Sequence, residues 1–353
     1  IDSADQTDLL KKIELPLSEV LAEMETEGFL VDKSEIENYG KVLSSEIDKL
    51  QTEIFELSGE EFNINSPKQL GVILFEKLQI PTKKKTKSGY STSADVLESL
   101  KDQYPIVDLV LKYRGLSKLK STYCDGLFAA ADENGRIHST LNQTETRTGR
   151  ISSTEPNLQN IPVRKAEGKE LRKFFVAKEN YCLVDADYSQ IELRVLADMA
   201  KDETMIKAFS DGLDIHTITA GEVFGVDVSN VTPLMRSHAK AVNFGIVYGI
   251  GAFSLAKDIG VTTREASSYI KGYLATYKGV DEYMKKTVEK AKEQGFCETL
   301  FHRRRFLPEL KSGNHMLKAF GERVARNMPI QGTAADIIKI AMIKVRNRLK
   351  AEL

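Results

Sequence analysis

Arg236-Ser237-His238-Ala239-Lys240-Ala241-Val242-Asn243-Phe244-Gly245-Ile246-Val247-Tyr248 is the stretch that says most about how this chain folds. Arg236, Lys240, Phe244 and Tyr248 recur at intervals of four. Four residues advance about 40° beyond a full helical turn, so these side chains wind slowly along one helix as a stripe. Two cations followed by two rings match what a nucleotide presents, charge for a polyphosphate and flat surfaces for a sugar and base. An amphipathic helix with its rings in the core and its cations reaching outward gives the same stripe. Gly245 and Gly249 lower helix propensity and remove side chains beside the rings, so close approach is expected there.

Upstream of that helix, Tyr181-Cys182-Leu183-Val184 is a short apolar run ending in Asp185-Ala186-Asp187. This is the pattern of a buried strand that delivers carboxylates at its end. Alternation would turn Asp185 and Asp187 to one face, with Glu192 a short turn later. Carboxylate oxygens are what Mg²⁺ prefers, and few are needed when substrate phosphates supply the rest. Solvated acids capping the next helix account for the same spacing. After Gln190 the chain reads as helical to about residue 300, with turns near Gly212, Gly225, Gly260 and Gly279. Arg136–Leu141 has strand-like alternation.

Helical periodicity dominates the first 130 residues. Ser34 with Glu37 makes a candidate capping box, and Ile36, Tyr39, Leu43, Ile47, Leu50, Ile54 and Leu57 follow at helical spacing until Gly59. Ser66-Pro67 opens a second helix with Leu70, Ile73, Leu74 and Leu78 inward, and a long helix is expected over 106–130. Between them, Lys83-Lys84-Lys85-Thr86-Lys87-Ser88-Gly89-Tyr90 reads as an exposed basic loop. Long helices joined by a charged loop suggest an elongated arm.

Composition mostly excludes. The chain has 353 residues, enough for several domains. Basic and acidic residues number 50 and 51, which by itself disfavours a nucleic-acid partner. The balance is uneven, however. Residues 1–60 hold 16 Asp and Glu against 5 Lys, leaving the remainder at +10, a reason to look for an anion-binding face there. Three well-separated cysteines, Cys124, Cys182 and Cys297, suggest neither a disulfide framework nor a zinc site, and fit a reducing cytoplasm. No apolar run approaches the roughly 20 residues of a membrane span, and no GxxxxGK[ST] loop is present.

Four ordered blocks carry a resemblance. They are Thr148-Gly149-Arg150-Ile151-Ser152-Ser153 running to Pro156-Asn157-Leu158-Gln159-Asn160-Ile161-Pro162; Asp187-Tyr188-Ser189-Gln190-Ile191-Glu192-Leu193-Arg194; the Arg236–Gly249 helix; and Gln331-Gly332-Thr333-Ala334-Ala335-Asp336. Through them the chain resembles the bacterial A family of DNA polymerases from about Ile13 onward. The resemblance implies an α+β, mostly helical, right-hand architecture. Residues 1–34 would form an entry segment at the palm edge, 35–125 the thumb, 126–195 and 321–353 a partial palm with an antiparallel sheet, and 196–320 the fingers.

It also implies roles. Asp187 matches a metal-binding catalytic aspartate, with the backbone carbonyl of Tyr188 as a further ligand, for two Mg²⁺ ions that activate a primer 3′-hydroxyl and stabilise leaving pyrophosphate. Arg236, Lys240 and His216 match triphosphate ligands, and Lys240 is also counted as catalytic. Gln190 matches a nucleotide contact, Glu192 the steric gate against a 2′-hydroxyl, and Tyr248 the ring at the template site. Phe244 matches the ring against the sugar, where a Phe implies discrimination against dideoxynucleotides. Arg150, Arg323, Asn327 and Gln331 match residues that read minor-groove acceptors near the primer terminus. Lys83, Lys84, Lys85 and Lys87 are read as sequence-independent DNA contacts; a merely solvated loop has the same composition. The implied partners are primer–template DNA and deoxynucleoside triphosphates. The protein is expected to be a monomer in the bacterial cytoplasm, associated with the nucleoid, in DNA replication and repair.

Some positions depart from the family. Asp185 and Arg147 stand where relatives usually have small residues, and neither is assigned a special role. The family's second metal aspartate lies in a Val-His-Asp-Glu block, and no His-Asp-Glu occurs in these 353 residues. One aspartate does not easily hold two Mg²⁺ ions in register, so the chain as given is expected to be inactive or nearly so. A truncated polymerase, a gene fragment and a split polymerase completed by a second polypeptide all fit. The alternative is a non-catalytic remnant that binds primer–template or nucleotide. No nuclease-like block precedes Ile13, so no proofreading is expected.

Overall fold

A computed structural model describes residues 5–82, 85–86, 89–162 and 166–352, with backbone alone at 85–86 and 166–167. In chain order the principal elements are α1 (Leu15–Glu27), β1 (Phe29–Leu30), α2 (Lys33–Ser58), α3 (Pro67–Gly71), β2 (Lys85–Thr86), β3 (Gly89–Tyr90), α4 (Pro105–Leu119), β4 (Arg136–Ile137), α5 (Ile191–Ala200), α6 (Ile215–Phe224), α7 (Pro233–Val247), α8 (Thr263–Thr276), α9 (Lys278–Gln294), β5 (Phe296–Glu298), β6 (Arg304–Phe306) and α10 (His315–Glu352). The expected mostly helical fold with small antiparallel sheets is what forms. The chain divides into two units: 24–140 with 153–184, and 1–23 with 141–152 and 185–353.

In the first of these units, local signals set the helix ends. Asp32, not Ser34, caps α2: its carboxylate accepts from the amides of Ser34 (2.9 Å) and Glu35 (3.1 Å), and Ser34 Oγ bonds the same oxygen. An ionised carboxylate is the stronger acceptor for helix-end amides and takes the position from the serine. Gly59 ends the helix in the left-handed region, at φ 72°. Ser66 caps α3, with Pro67 at its first position. Ile54, Leu70, Leu74, Leu97, Val107 and Val110 make one buried cluster. Ile36, Leu43, Tyr123, Leu127, Ile137 and Phe174 belong to another. Each such side chain contributes about 1.5–3 kcal/mol of burial. Leu57, by contrast, is exposed. The helix that begins at Pro105 continues through a wider turn at Lys120–Asp125 to Ala130. β1 pairs antiparallel with β4, Phe29 opposite Ile137. β2 and β3 pair as well, so the basic stretch contains a short ladder where an open loop is expected.

The expected buried strand at 181–184 does not form. Tyr181, Leu183 and Val184 are exposed, at 71%, 55% and 86%, and the segment has no regular structure. An apolar run becomes a strand only where a neighbour completes the ladder and covers a face. Among the described residues none does so.

The other unit is built on a helical core. Leu193, Leu196, Ile215, Val242, Val247 and Tyr273 are among the buried residues that join α5 to α8. Gly225, Gly260 and Gly295 end their helices in the left-handed region. Past Gly295 the chain makes an antiparallel hairpin, β5 with β6, in a region expected to be helical to about residue 300. No helix among the described residues is long and apolar enough to cross a membrane.

Candidate functional site

The stripe lies on α7. Thr232 caps its start, accepting from Met235 N at 3.2 Å, and Pro233 follows with its φ preset for a helix. Arg236 and Lys240 are exposed, Phe244 is half-buried, and Tyr248 closes the C-terminal end. The two rings lie nearly parallel, 6.5 Å apart at 17°.

Arg236 is tethered. Its Nε donates to Asp214 Oδ2 at 2.5 Å, and Asp214 also caps α6, accepting from His216 N (3.2 Å) and Thr217 Oγ1 (2.6 Å). Burial raises the Asp214 carboxyl, but the bonds from Arg236, Thr217 and the His216 amide outweigh it and bring the pKa to about 2. Lys240 is exposed and has no ion pair among the described residues. His216 is buried, with its ring 5.7 Å from Phe244. Burial lowers its pKa to about 4; Asp214 opposes this, and Arg236 and Lys240 reinforce it. His216 is therefore neutral at pH 7.

A second group meets the end of α7. Gln190 starts α5 at φ 55°, ψ 41°, without a side-chain cap, and its Oε1 is buried with no partner among the described residues. Glu192, two residues on, is buried and held at both oxygens, by the Tyr248 hydroxyl at 3.0 Å and by Arg150 Nη2. Burial and the Glu192 carboxylate hold the Tyr248 phenol above its ordinary value, so it remains a donor, while a bond with Gln331 acts in the opposite sense. Arg323, Asn327 and Gln331 lie at intervals of four along α10. Asn327 Nδ2 donates to Val247 O at 3.2 Å. Arg323 packs against Gly249, where a Cβ would come 3.3 Å from its Cγ and where φ is +66°. At Gly245 the space is taken by Ile250, whose Cγ2 would lie 2.4 Å from a Cβ. Close approach at both glycines is thus made by the chain's own side chains.

Sequence reasoning missed the support beneath this group. Arg303 donates to Asp336 Oδ1 through Nε (2.9 Å) and Nη2 (2.6 Å), and its Nη2 also bonds Glu14. Lys339, almost wholly buried, reaches Glu14 Oε1 at 2.8 Å. Thr299 Oγ1 donates to the other Asp336 oxygen at 2.8 Å. Burial pushes Asp336 up against the pull of Arg303, and pushes Lys339 down against the pull of Glu14. The Arg303 guanidinium also passes under Gly149, where any Cβ would lie 2.5 Å from its Nε. It therefore seats the turn that presents Arg150. The one available hint was Lys339 three residues beyond Asp336, on the same helical face.

The remaining expected residues stand apart from these contacts. Asp187 and Tyr188 are exposed in the irregular stretch before α5. Asp187 makes no hydrogen bond or ion pair among the described residues. No group of three His, Cys, Asp or Glu that would cage a metal occurs among the described residues. A lone free carboxylate fits an Mg²⁺ shared with substrate phosphates, the usual arrangement for this ion. Lys83, Lys84 and Lys87 lie outside the described residues, and Lys85 contributes only its backbone in β2. Asp185 and Arg147 are exposed. Cys124 and Cys297 are buried thiols and Cys182 is exposed.

Comparison with known proteins places the chain in a group. Residues 33–353 match the family described as DNA polymerase family A. The chain is 54% identical to DNA polymerase I of Caldicellulosiruptor bescii over 343 residues, 97% of this chain and 40% of the relative. It is 51% identical to DNA polymerase I of Bacillus subtilis over 352 residues, 99% of this chain and again 40% of the relative. It thus spans about two fifths of the length of these relatives. A solved structure described as the POL domain of Pol1 from M. smegmatis, in complex with DNA primer-template and dNTP, superposes with a TM-score of 0.91 at 41% identity, covering 99% of this chain and 62% of that one.

Proposed function

We propose a function from one premise: this chain belongs to DNA polymerase family A. By family it is part of a DNA-directed DNA polymerase, and its site is read as the place where a primer terminus, a template base and an incoming deoxynucleoside triphosphate meet. The observation that carries this reading is a continuous run of contacts in one unit, between side chains except where Asp214 accepts from the His216 backbone amide. It passes from Arg236 and Asp214 to His216, through Phe244 and Tyr248 to Glu192, Arg150 and Gln331.

Along that run the chemistry changes in the order a nucleotide requires. At one end Lys240 and Arg236 offer positive charge for the triphosphate, with His216 beside them as a neutral N–H donor. Arg236 keeps guanidinium nitrogens in addition to the one bound by Asp214, so it is aimed and still able to donate, while Lys240 carries the charge that no carboxylate among the described residues pairs. Phe244 gives the sugar a flat apolar wall. Glu192, held by Tyr248 and Arg150, occupies the position of a gate against a 2′-hydroxyl. A buried carboxylate fixed at both oxygens cannot swing aside, and that rigidity makes exclusion effective. Gln190, with its buried acceptor unpartnered, is read as a further nucleotide contact. Arg150, Arg323, Asn327 and Gln331 are read as donors to minor-groove acceptors common to all base pairs, which hold any primer sequence.

Asp187 and the Tyr188 carbonyl are the residues that would hold Mg²⁺. When bound, the metal supplies Lewis-acid activation of the primer 3′-hydroxyl and neutralises charge on the leaving pyrophosphate. Residues 35–125 are read as the thumb, 196–320 as the fingers, and 126–195 with 321–353 as palm. On this reading the protein works on DNA in the bacterial cytoplasm, in replication and repair.

A second reading rests on one sequence observation, that no His-Asp-Glu occurs among the 353 residues. Under it, a polypeptide of these residues alone binds primer–template and nucleotide without joining them. A primer-extension assay with Mg²⁺ and four deoxynucleotides separates the two. Extension that Asp187→Ala abolishes supports the polymerase reading, and extension that Asp187→Ala leaves unchanged refutes the assignment of Asp187. Binding without extension supports the second.

A further inference from the structure

A run of polar side chains lies behind the proposed nucleotide contacts, and only its last member, His216, has a role above. The Tyr277 hydroxyl is 3.0 Å from Thr219 Oγ1. Thr219 Oγ1 is 3.3 Å from Asn243 Oδ1 and 3.2 Å from Asn243 Nδ2. Asn243 Nδ2 is in turn 3.0 Å from His216 Nδ1. Tyr277, Thr219 and Asn243 are fully buried, and His216 is 2% exposed. Asn243 precedes Phe244 on α7, so it points inward from the helix whose outer stripe is read as the nucleotide surface.

The arrangement fixes what His216 can do. A neutral imidazole has one protonated and one unprotonated nitrogen, and the partner of one decides the role of the other. The amide nitrogen of Asn243 can only donate, so His216 Nδ1 opposite it is an acceptor and the ring proton resides on Nε2. Thr219 Oγ1, anchored by Tyr277, lies within reach of both ends of the amide and holds it beside the ring. The charged groups acting on the ring from the neighbouring elements are Asp214, Arg236 and Lys240. Together with burial they leave it uncharged near neutral pH. An uncharged ring assists anion binding only if the nitrogen turned toward the anion carries the proton.

We infer that Asn243 is a positioning residue that holds His216 as its Nε2–H tautomer, so that the neutral ring donates one hydrogen bond to a phosphate of the incoming nucleotide. The inference rests on the proposed role of His216 as a triphosphate contact, and its test is separable from that role. The protein is labelled with ¹⁵N-histidine, His216 is assigned by its loss in His216→Gln, and the ring nitrogens are read at pH 7 without nucleotide. A protonated Nε2 with an unprotonated Nδ1 is expected, and the opposite tautomer or an imidazolium overturns the inference. Asn243→Asp replaces the amide donor with an acceptor and is expected to move the proton to Nδ1 or to charge the ring. It should also weaken binding of the complementary deoxynucleotide by about tenfold, the size of one hydrogen bond, with primer–template affinity unchanged. An unchanged His216 spectrum in Asn243→Asp likewise overturns it. If the Nε2–H form is observed but His216→Ala binds nucleotide normally, the donation to phosphate is overturned through the triphosphate reading, while the tautomer assignment stands.

Discussion

The Tyr248 hydroxyl donates to Glu192 at 3.0 Å, tying the C-terminal end of α7 to the first turn of α5. Arg150 holds the other Glu192 oxygen, so three segments distant in sequence are fixed through one buried carboxylate. Glu192→Ala removes both the proposed gate and the anchor. Binding of ribonucleotides relative to deoxynucleotides on a chain-terminated primer–template is expected to rise by about tenfold or more, measured as the ratio of dissociation constants. Tyr248→Phe removes one of two anchors and should shift the same ratio less, within the roughly 0.5–1.5 kcal/mol of a single hydrogen bond.

Arg303 bridges Asp336 and Glu14 in a largely buried setting. Arg303→Ala leaves the wholly buried Asp336 without its cation, and breaking such a pair typically costs about 3–5 kcal/mol. Urea unfolding should show a loss of that order. Gly149→Ala, which collides with the same guanidinium at a φ of +82°, should disturb the Arg150 turn and lower stability as well.

His216 makes stability depend on pH. Its folded pKa, about 4, is below the ordinary 6.5, so between these values the unfolded chain binds more protons than the folded one. Stability should therefore fall as pH drops from 6.5 toward 4, by at most about 1.4 kcal/mol per pH unit for one proton. His216→Gln should flatten that interval. Asp214 acts lower on the scale: its folded pKa of about 2 lies below the ordinary 3.8. Its contribution is complete above about 3.8 and is lost as pH falls toward 2. Denaturant midpoints measured at half-unit steps of pH separate the two groups.

Lys83, Lys84, Lys85 and Lys87 should contribute affinity without base preference. Replacing all four with Ala is expected to lower the slope of log K against log salt by up to about 3–4 in magnitude, equally on unrelated duplex sequences. An unchanged slope would make the cluster a solvated segment only.

The helical placement of the stripe is legible in the sequence because its residues recur at fixed spacing. The interval of four in Arg236, Lys240, Phe244 and Tyr248 is a helix property, and α7 forms where the stripe requires it. Arg323, Asn327 and Gln331 also fall at intervals of four on α10, but the resemblance singles them out and their spacing does not. What periodicity cannot convey is which partner a side chain finds across the fold. Asp214 tethers Arg236, Asn243 faces His216, and Arg303 joins Glu14 to Asp336 across nearly the whole sequence. Strand formation at 181–184 is not decided by local sequence either, because a strand needs a neighbouring edge that its own residues do not specify. The net charge was misleading for a related reason. An average near zero conceals acid gathered in residues 1–60, while every block matched to DNA or triphosphate lies in the basic remainder.

The central claim is that Lys240 and its neighbours bind a nucleotide chosen by a template. Its most direct test is equilibrium binding of deoxynucleotides to the protein on a chain-terminated primer–template, comparing the native sequence with Lys240→Ala. The account predicts that only the nucleotide complementary to the template base is retained. Lys240→Ala should weaken that retention about 10- to 100-fold, the size of a charge-assisted hydrogen bond, with primer–template affinity unchanged. Equal retention of all four nucleotides, or parallel loss of nucleotide and primer–template binding in Lys240→Ala, would contradict it.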